Sequence, residues 1–317
     1  MQSVLLGDGE KMSRIFPQRI RFREQEKLTD QYSGKAEWVE KQQYSASSGP
    51  VFADAVAAWI SSLGHIDKIR FDGEGDGAFS SAVVGKLNHL SSLEVYASEF
   101  NYELRKKIIA RGIIKEENIL VDALIPPSPG GTMVVVANQF LDALPFTGMR
   151  MVKDNSGNIR LEELSIDDQN NMYYERLATT SIDPERQDDA HPRTGLFNYS
   201  APKINYVRNI LDRKGDTYLL VIDWDWQKTE HDYRGDFTAL AHSPTPGVWL
   251  NRMATSRGGK PMFSDSILRW PPFYARARGY ANLGAYQNLF TTIVKTQSSG
   301  ERVWGTCQVE GNRGTQD

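Results

Sequence analysis

Three glycines and three carboxylates alternate in IRFDGEGDGAFSSAVV: Asp72, Gly73, Glu74, Gly75, Asp76 and Gly77. Residues without a Cβ let a backbone turn sharply and approach a ligand closely, and the helix predicted to follow presents free N–H groups. Taken alone, a G-x-G-x-G string reads equally well as a surface turn. A second feature changes that balance. Glu99 lies 22 residues beyond Gly77, at the end of the strand predicted by LEVYASE. Nucleotide-binding α/β folds place a carboxylate there to accept from both ribose hydroxyls.

The pair points to a nucleoside cofactor, and the acids select which one. Three carboxylates repel a pyrophosphate but suit a cationic sulfonium or amino group. S-adenosylmethionine therefore fits better than NAD or ATP, which argues against a nicotinamide-dependent oxidoreductase. Asp122, in ILVDALIP, follows a predicted third strand and is either a contact to an adenine amino group or a turn-forming aspartate. The stretch VVVANQFLDALP, residues 134–145, runs a buried strand into Asn138, Gln139 and Asp142 at the carboxyl edge of the sheet, where open α/β folds bind ligands.

Methyl transfer from a sulfonium is an in-line displacement by an acceptor atom on an already activated carbon. The protein must hold acceptor and methyl in contact and, for a protonated acceptor, take up a proton. Asp142, Asp223, Asp225 and His242 are the candidate bases or acceptor-orienting groups; a lone loop histidine such as His242 is more commonly a surface residue. His65, His89, His191, His231 and His242 show no ligand spacing on one helix, so no metal site is expected.

These residues need a scaffold, and alternating apolar segments supply one. Val51, Phe52, Val56, Trp59 and Ile60 recur at helical spacing after Pro50, with Gly64 beyond the end. Strands are predicted at 68–71, 93–97, 118–121, 133–137 and 217–226, and helices at 78–87, 102–111 and 201–215. Such alternation predicts an α/β fold with a mostly parallel, seven-stranded, Rossmann-like sheet covered on both faces. The rhythm breaks after Pro145: two apolar strings flank DNSGN as a hairpin, and a polar loop follows at 181–195. The segment 284–296 reads as a helix running into a final strand. The expected division is an arm at 1–49, a cofactor-binding half at 50–145, a substrate-side insertion at 146–196, a second half at 197–304 and a tail at 305–317. The aromatic C-terminal third, with Trp249, Phe263, Trp270, Phe273, Tyr274, Tyr280, Tyr286 and Trp304, suggests an acceptor pocket.

The chain has 317 residues, 40% hydrophobic and 24% charged, as in ordinary globular proteins. A net charge of -3 gives no global attraction for nucleic acid. No membrane span or targeting segment is read, and a single cysteine, Cys307, fits a reducing compartment, so a cytoplasmic protein is expected. Expected partners are a small-molecule, peptide or protein methyl acceptor; oligomerisation is left open.

Five blocks carry a resemblance: GPVFADAVAAWI; FDGEGDGAFSSAVV; YASEFNYELRKK; VVVANQFLDALPF; and YLLVIDWDW with GDFTALAHSPTPG downstream. In this order, over about residues 50 to 250, they resemble the MidA-like S-adenosylmethionine-dependent methyltransferases, whose mitochondrial members methylate a protein arginine. The resemblance implies a class I methyltransferase fold. It also implies that Gly73, Gly75 and Gly77 approach the methionine moiety, Glu99 the ribose, and Asn138, Gln139 and Asp142 the junction of cofactor and acceptor, with His242 near the acceptor. Three departures stand out. Phe71 holds the place of the family's leading acid, with Asp72 one step later as the cofactor-binding candidate. Gln139 replaces a glutamate, removing a charge that could pair with a guanidinium. IDWDW replaces Asp-Tyr-Gly. Arginine specificity is weakened more than cofactor binding, and a non-catalytic binding or assembly protein is the alternative.

Overall fold

A computed structural model describes residues 49–90, 92–141, 144, 147–153, 159–166, 172–176, 196–224, 247–278, 286 and 289–296. Helix α1 (Pro50–Ser62) starts on an extended Gly49 with proline in its first turn, where the missing N–H costs nothing. Its apolar stripe, from Val51 to Ile60, is buried. Strand β1 (Lys68–Asp72), helix α2 (Ala78–Val84), strand β2 (Glu94–Ser98), helix α3 (Tyr102–Arg111), the short β3 (Ile119–Leu120) and β4 (Met133–Asn138) follow.

The main sheet has the order β10-β11-β9-β4-β1-β2-β3, with β9 (Thr217–Trp224), β10 (Lys260–Ser266) and β11 (Leu289–Thr296). β9, β4, β1, β2 and β3 pair in parallel, while β11 runs antiparallel to both neighbours. The expected seven-stranded, mostly parallel α/β sheet is therefore present. Successive strand residues face opposite layers. Ile69, Phe71, Val134 and Val136 join α1, α2 and helix α6 (Pro271–Ala277) in one core. Met133, Val135 and Ala137 join helices α4 (Ala201–Leu211) and α5 (Gly247–Thr255) in the other. Being buried on both faces explains the unbroken apolar run of β4, each of its larger side chains contributing about 1.5–3 kcal/mol by burial.

Between β4 and α4 stands a second, antiparallel sheet of order β7-β6-β5-β8, formed by β5 (Thr147–Lys153), β6 (Ile159–Ile166), β7 (Met172–Arg176) and β8 (Leu196–Tyr199). Met151 pairs with Leu161 and Lys153 with Ile159, the hairpin pairing expected around DNSGN. Two further strands extend it; residues 181–195, expected as a loop, lie outside the described residues.

Several boundaries move. α2 ends at Val84, before Gly85, rather than at Leu87, and β3 is shorter than expected. Among the described residues the last element is β11; most of the helix expected before it lies outside them. The C-terminal aromatics require a larger correction. Trp270 packs against Phe52 and Trp59 at ring separations of 6.3 and 6.1 Å, and Phe273 packs on Tyr286 at 4.8 Å. Trp249, Trp270, Phe273 and Tyr286 are buried in the two cores, so these four fill the interior rather than line an acceptor pocket; Phe263 is partly buried, Tyr274 is exposed, and Tyr280 and Trp304 lie outside the described residues. Among the described residues, no helix is long and apolar enough to cross a membrane.

Candidate functional site at the sheet's carboxyl edge

From β1 the chain proceeds outward to β2 and β3, then returns to place β4 on β1's other side. The strand order reverses between β1 and β4, and a crevice outside their carboxyl ends is where ligands of such folds bind. The glycine loop sits at this point. Gly73, Gly75 and Gly77 have φ of 69, 67 and 79°, a region open to glycine at little cost. The amides of Gly73 and Glu74 donate to Ser98 O at 3.1 and 3.2 Å, pinning the loop to β2.

Glu99, just past β2, is 6% exposed. Its Oε2 accepts the Gly75 amide and its Oε1 the Asn101 amide, both at 2.9 Å. Asn101 in turn caps α3 by accepting from the amides of Glu103 and Leu104. Burial pushes the Glu99 carboxyl up to about 7, against the opposing pull of these amides and of Arg105. The Phe100 amide also bonds to this carboxyl, which with about four lone-pair sites can still accept from a ligand hydroxyl.

The other loop acids turn inward. Glu74 is half-buried as a residue, but its carboxyl is enclosed and accepts the Ser80 amide at 2.7 Å. Burial, with Glu99 and Asp76 adding repulsion, pushes it up to about 8. Asp76 accepts the Ala78 amide at 2.9 Å and pairs with Arg111 Nη2 at 2.8 Å, while Arg111 Nε donates to Asp76 O. The chain's own carboxylates thus meet the leading amides of α2, and a pyrophosphate there would have to displace them. The loop therefore suits a nucleoside that brings no pyrophosphate to this helix start.

Asp72 lies beneath the loop. Its Oδ1 accepts from Arg70 Nε at 2.7 Å and Ser98 Oγ at 2.5 Å, and its Oδ2 accepts from the Tyr206 hydroxyl at 2.6 Å. It is 2% exposed, so its carboxylate is spent inside the protein and holds the loop from below. Arg70 also donates to Ile125 O and Ala123 O, at 2.7 and 2.5 Å, tying in the loop after β3. In that loop Asp122 accepts the Leu124 amide at 2.8 Å, making the turn that was one of its two expected roles.

At the end of β4, Asn138 lies in register with Ile222 of β9, and the Gln139 amide donates to Ile222 O at 2.8 Å. Gln139 has φ 49°, the one left-handed non-glycine among the described residues. Strained backbone of this kind clusters at ligand sites. Asp223 follows Ile222 at the same edge and is buried. Asp142, Asp225 and His242 lie outside the described residues. The fold therefore gathers Gly73, Gly75, Gly77, Glu99, Asn138, Gln139 and Asp223 at one edge, with Asp72 below and Asp122 after the neighbouring strand. Among the described residues, no group of three or more His, Cys, Asp or Glu is placed to hold a metal ion.

Phe140 and Tyr206 were missed. A Cβ on Gly73 would stand 2.7 Å from Phe140 Cδ2, so this glycine makes room for an internal ring rather than only for a ligand. The ring of Phe140 meets that of Tyr206 at 5.0 Å, edge to face. The Arg70 and Asp72 partnership did have a signal: two opposite charges at i and i+2 of an apolar strand share one face. Tyr206, one apolar position in an ordinary helix, had none.

No protein-family model matches the chain, and no curated protein matches it by sequence. Among solved structures, an uncharacterised COG1565 superfamily protein from Burkholderia thailandensis is similar with a TM-score of 0.55 and 14% identity, over 93% of this chain and 96% of that one. A COG1565 superfamily member from the same organism, a candidate methyl transferase bound to S-adenosyl-homocysteine, gives 0.55 and 13% over the same shares. At such identity the likeness establishes the fold, that of the Rossmann-like methyltransferases. The finer resemblance to MidA-like enzymes rests on the sequence blocks.

Proposed function

We propose that the chain is an S-adenosylmethionine-dependent methyltransferase whose acceptor is a nitrogen or oxygen nucleophile of a small molecule, peptide or protein. The observation that carries this reading is Glu99 on the Gly75 amide at the switch point, in a loop whose leading helix amides are already met by carboxylates. The bound S-adenosyl-homocysteine of the Burkholderia protein, which shares the fold, supports it.

The cofactor would bring an activated methyl group to the crevice. Glu99 offers its carboxyl to ribose hydroxyls, and the Asp76 and Glu74 carboxyls already on the Ala78 and Ser80 amides disfavour a phosphate there. Asp122 is assigned to the adenine side and Asn138 to the junction with the acceptor. Gln139 presents a neutral carboxamide, which donates and accepts but does not form a charged pair with a guanidinium. A small molecule or peptide is therefore favoured over protein arginine, the acceptor implied by the MidA-like resemblance. Asp142, Asp223 and His242 are the groups proposed to orient the acceptor or take its proton. The β5–β8 sheet is assigned to the acceptor side, and the single Cys307 supports a cytoplasmic setting.

Calorimetric titration with S-adenosylmethionine, S-adenosyl-homocysteine and NAD tests the reading. Binding of NAD without S-adenosylmethionine would overturn it. A second reading, a binding or assembly protein with this fold and no catalysis, is favoured by one fact: both Glu99 oxygens are already engaged by main-chain amides. It predicts no S-adenosyl-homocysteine formation with any acceptor. Restoring the acid with Gln139→Glu tests the acceptor, since methylation of arginine peptides should rise only in that variant.

A further inference from the structure

The glycine loop and the end of β4 belong to separate sequence motifs, one for cofactor and one for acceptor. They adjoin through the β1–β4 pairing and the Phe140 ring beside Gly73, and one helix residue touches both sides. Tyr206, 0% exposed, donates its hydroxyl to Asp72 Oδ2 at 2.6 Å and sets its ring edge against Phe140 at 5.0 Å. Asp72 ends β1 immediately before Gly73 and also accepts from Ser98, whose carbonyl holds the amides of Gly73 and Glu74. Phe140 follows Gln139 and fills the space a Gly73 side chain would take. The loop is thus gripped from below by Asp72 and from the side by Phe140, and Tyr206 touches both.

We propose that Tyr206 is a positioning residue for methyl transfer, fixing the glycine loop against Gln139 and Phe140 so that cofactor and acceptor edges move as one. The inference rests on the methyltransferase reading. Buried polar side chains with well-packed rings have few alternative arrangements, so such a contact sets separation rather than merely filling space. A small misplacement of reacting groups costs rate out of proportion to the distance moved.

Hydrogen exchange on the full chain, read by mass spectrometry with and without saturating S-adenosylmethionine, tests the tie. In the wild type, ligand should protect both residues 73–77 and residues 138–141. Tyr206→Phe keeps the ring and removes one hydroxyl. Without ligand, exchange should rise about tenfold in both segments, because a hydrogen bond to a charged group is lost, and stay unchanged in α1 and β11. With ligand, protection should persist at 73–77 and vanish at 138–141, an uncoupling that a merely structural role would not produce. Phe140→Leu, which keeps the hydroxyl bond, should uncouple the same segments, and the double variant should be no worse than the more damaging single one. Unchanged ligand-free exchange in Tyr206→Phe, or retained protection at 138–141, would overturn the proposal. Failure of the wild type to bind S-adenosylmethionine would instead sink the methyltransferase reading, and the ligand-free comparison would still decide whether Tyr206 ties the two segments.

Discussion

Glu99 Oε2 accepts the amide of Gly75 at 2.9 Å, across 24 positions of sequence. The contact shapes the loop and aims the carboxyl at the crevice. Glu99→Ala should therefore weaken S-adenosylmethionine binding about 30-fold or more, the value of charge-assisted bonds to two hydroxyls. Glu99→Gln, which keeps one acceptor, should lose about fivefold. Calorimetry checks both, and an unchanged Kd for the alanine variant would place the ribose elsewhere.

Stability should fall as pH rises through neutrality. The Glu74 and Glu99 carboxyls are raised from 4.5 to about 8 and about 7 in the folded chain. Between 4.5 and those values the folded state binds more protons than the unfolded one, so the slope of unfolding free energy with pH is negative. Their contribution is most favourable below 4.5 and is lost by about pH 8. Thermal midpoints at pH 5.5 and 8.5 should differ in that direction, and Glu74→Gln should flatten the profile; an identical difference in the variant would remove Glu74 from the account.

Gln139→Gly should stabilise the fold by about 1 kcal/mol, because an L side chain at left-handed φ carries a cost of that order that glycine avoids. The same change removes the carboxamide from the crevice. Denaturant unfolding should show the gain, while methyl transfer is lost. A destabilised glycine variant would mean that the side chain contributes more to the fold than its backbone costs.

Trp270→Ala should cost about 3–5 kcal/mol, since its buried ring packs on Phe52 and Trp59 of α1. If the residue is core and not pocket, the folded fraction should bind S-adenosylmethionine with unchanged affinity. A changed Kd at full folding would restore the aromatic pocket.

The parallel sheet was legible because a strand covered on both faces leaves an unbroken apolar run, as 133–137 does. Glu99 was legible because its separation from the glycines reflects one helix and one strand of ordinary length. Trp270 and Phe273 misled, since composition cannot tell an aromatic that fills a core from one that lines a cavity. Asp72 looked like its neighbours in the acidic string, although it faces down into the protein where Glu74 and Asp76 reach the start of α2. The second sheet was half visible: turn residues mark a hairpin, but β7 and β8 join it through pairings that no local pattern encodes.

Arg70 and Asp72 form an ion pair with side-chain exposures of 1% and 0%. Removing one partner strands a charge, at about 3–5 kcal/mol from a domain margin of about 5–15. For a lineage drifting from this sequence, either single replacement is a steep descent, and a joint replacement by apolar residues still orphans the Tyr206 and Ser98 hydroxyls and the Ile125 and Ala123 carbonyls. Positions 70 and 72 are therefore expected to be inherited as one character with 98 and 206, whatever acceptor the crevice above them comes to serve.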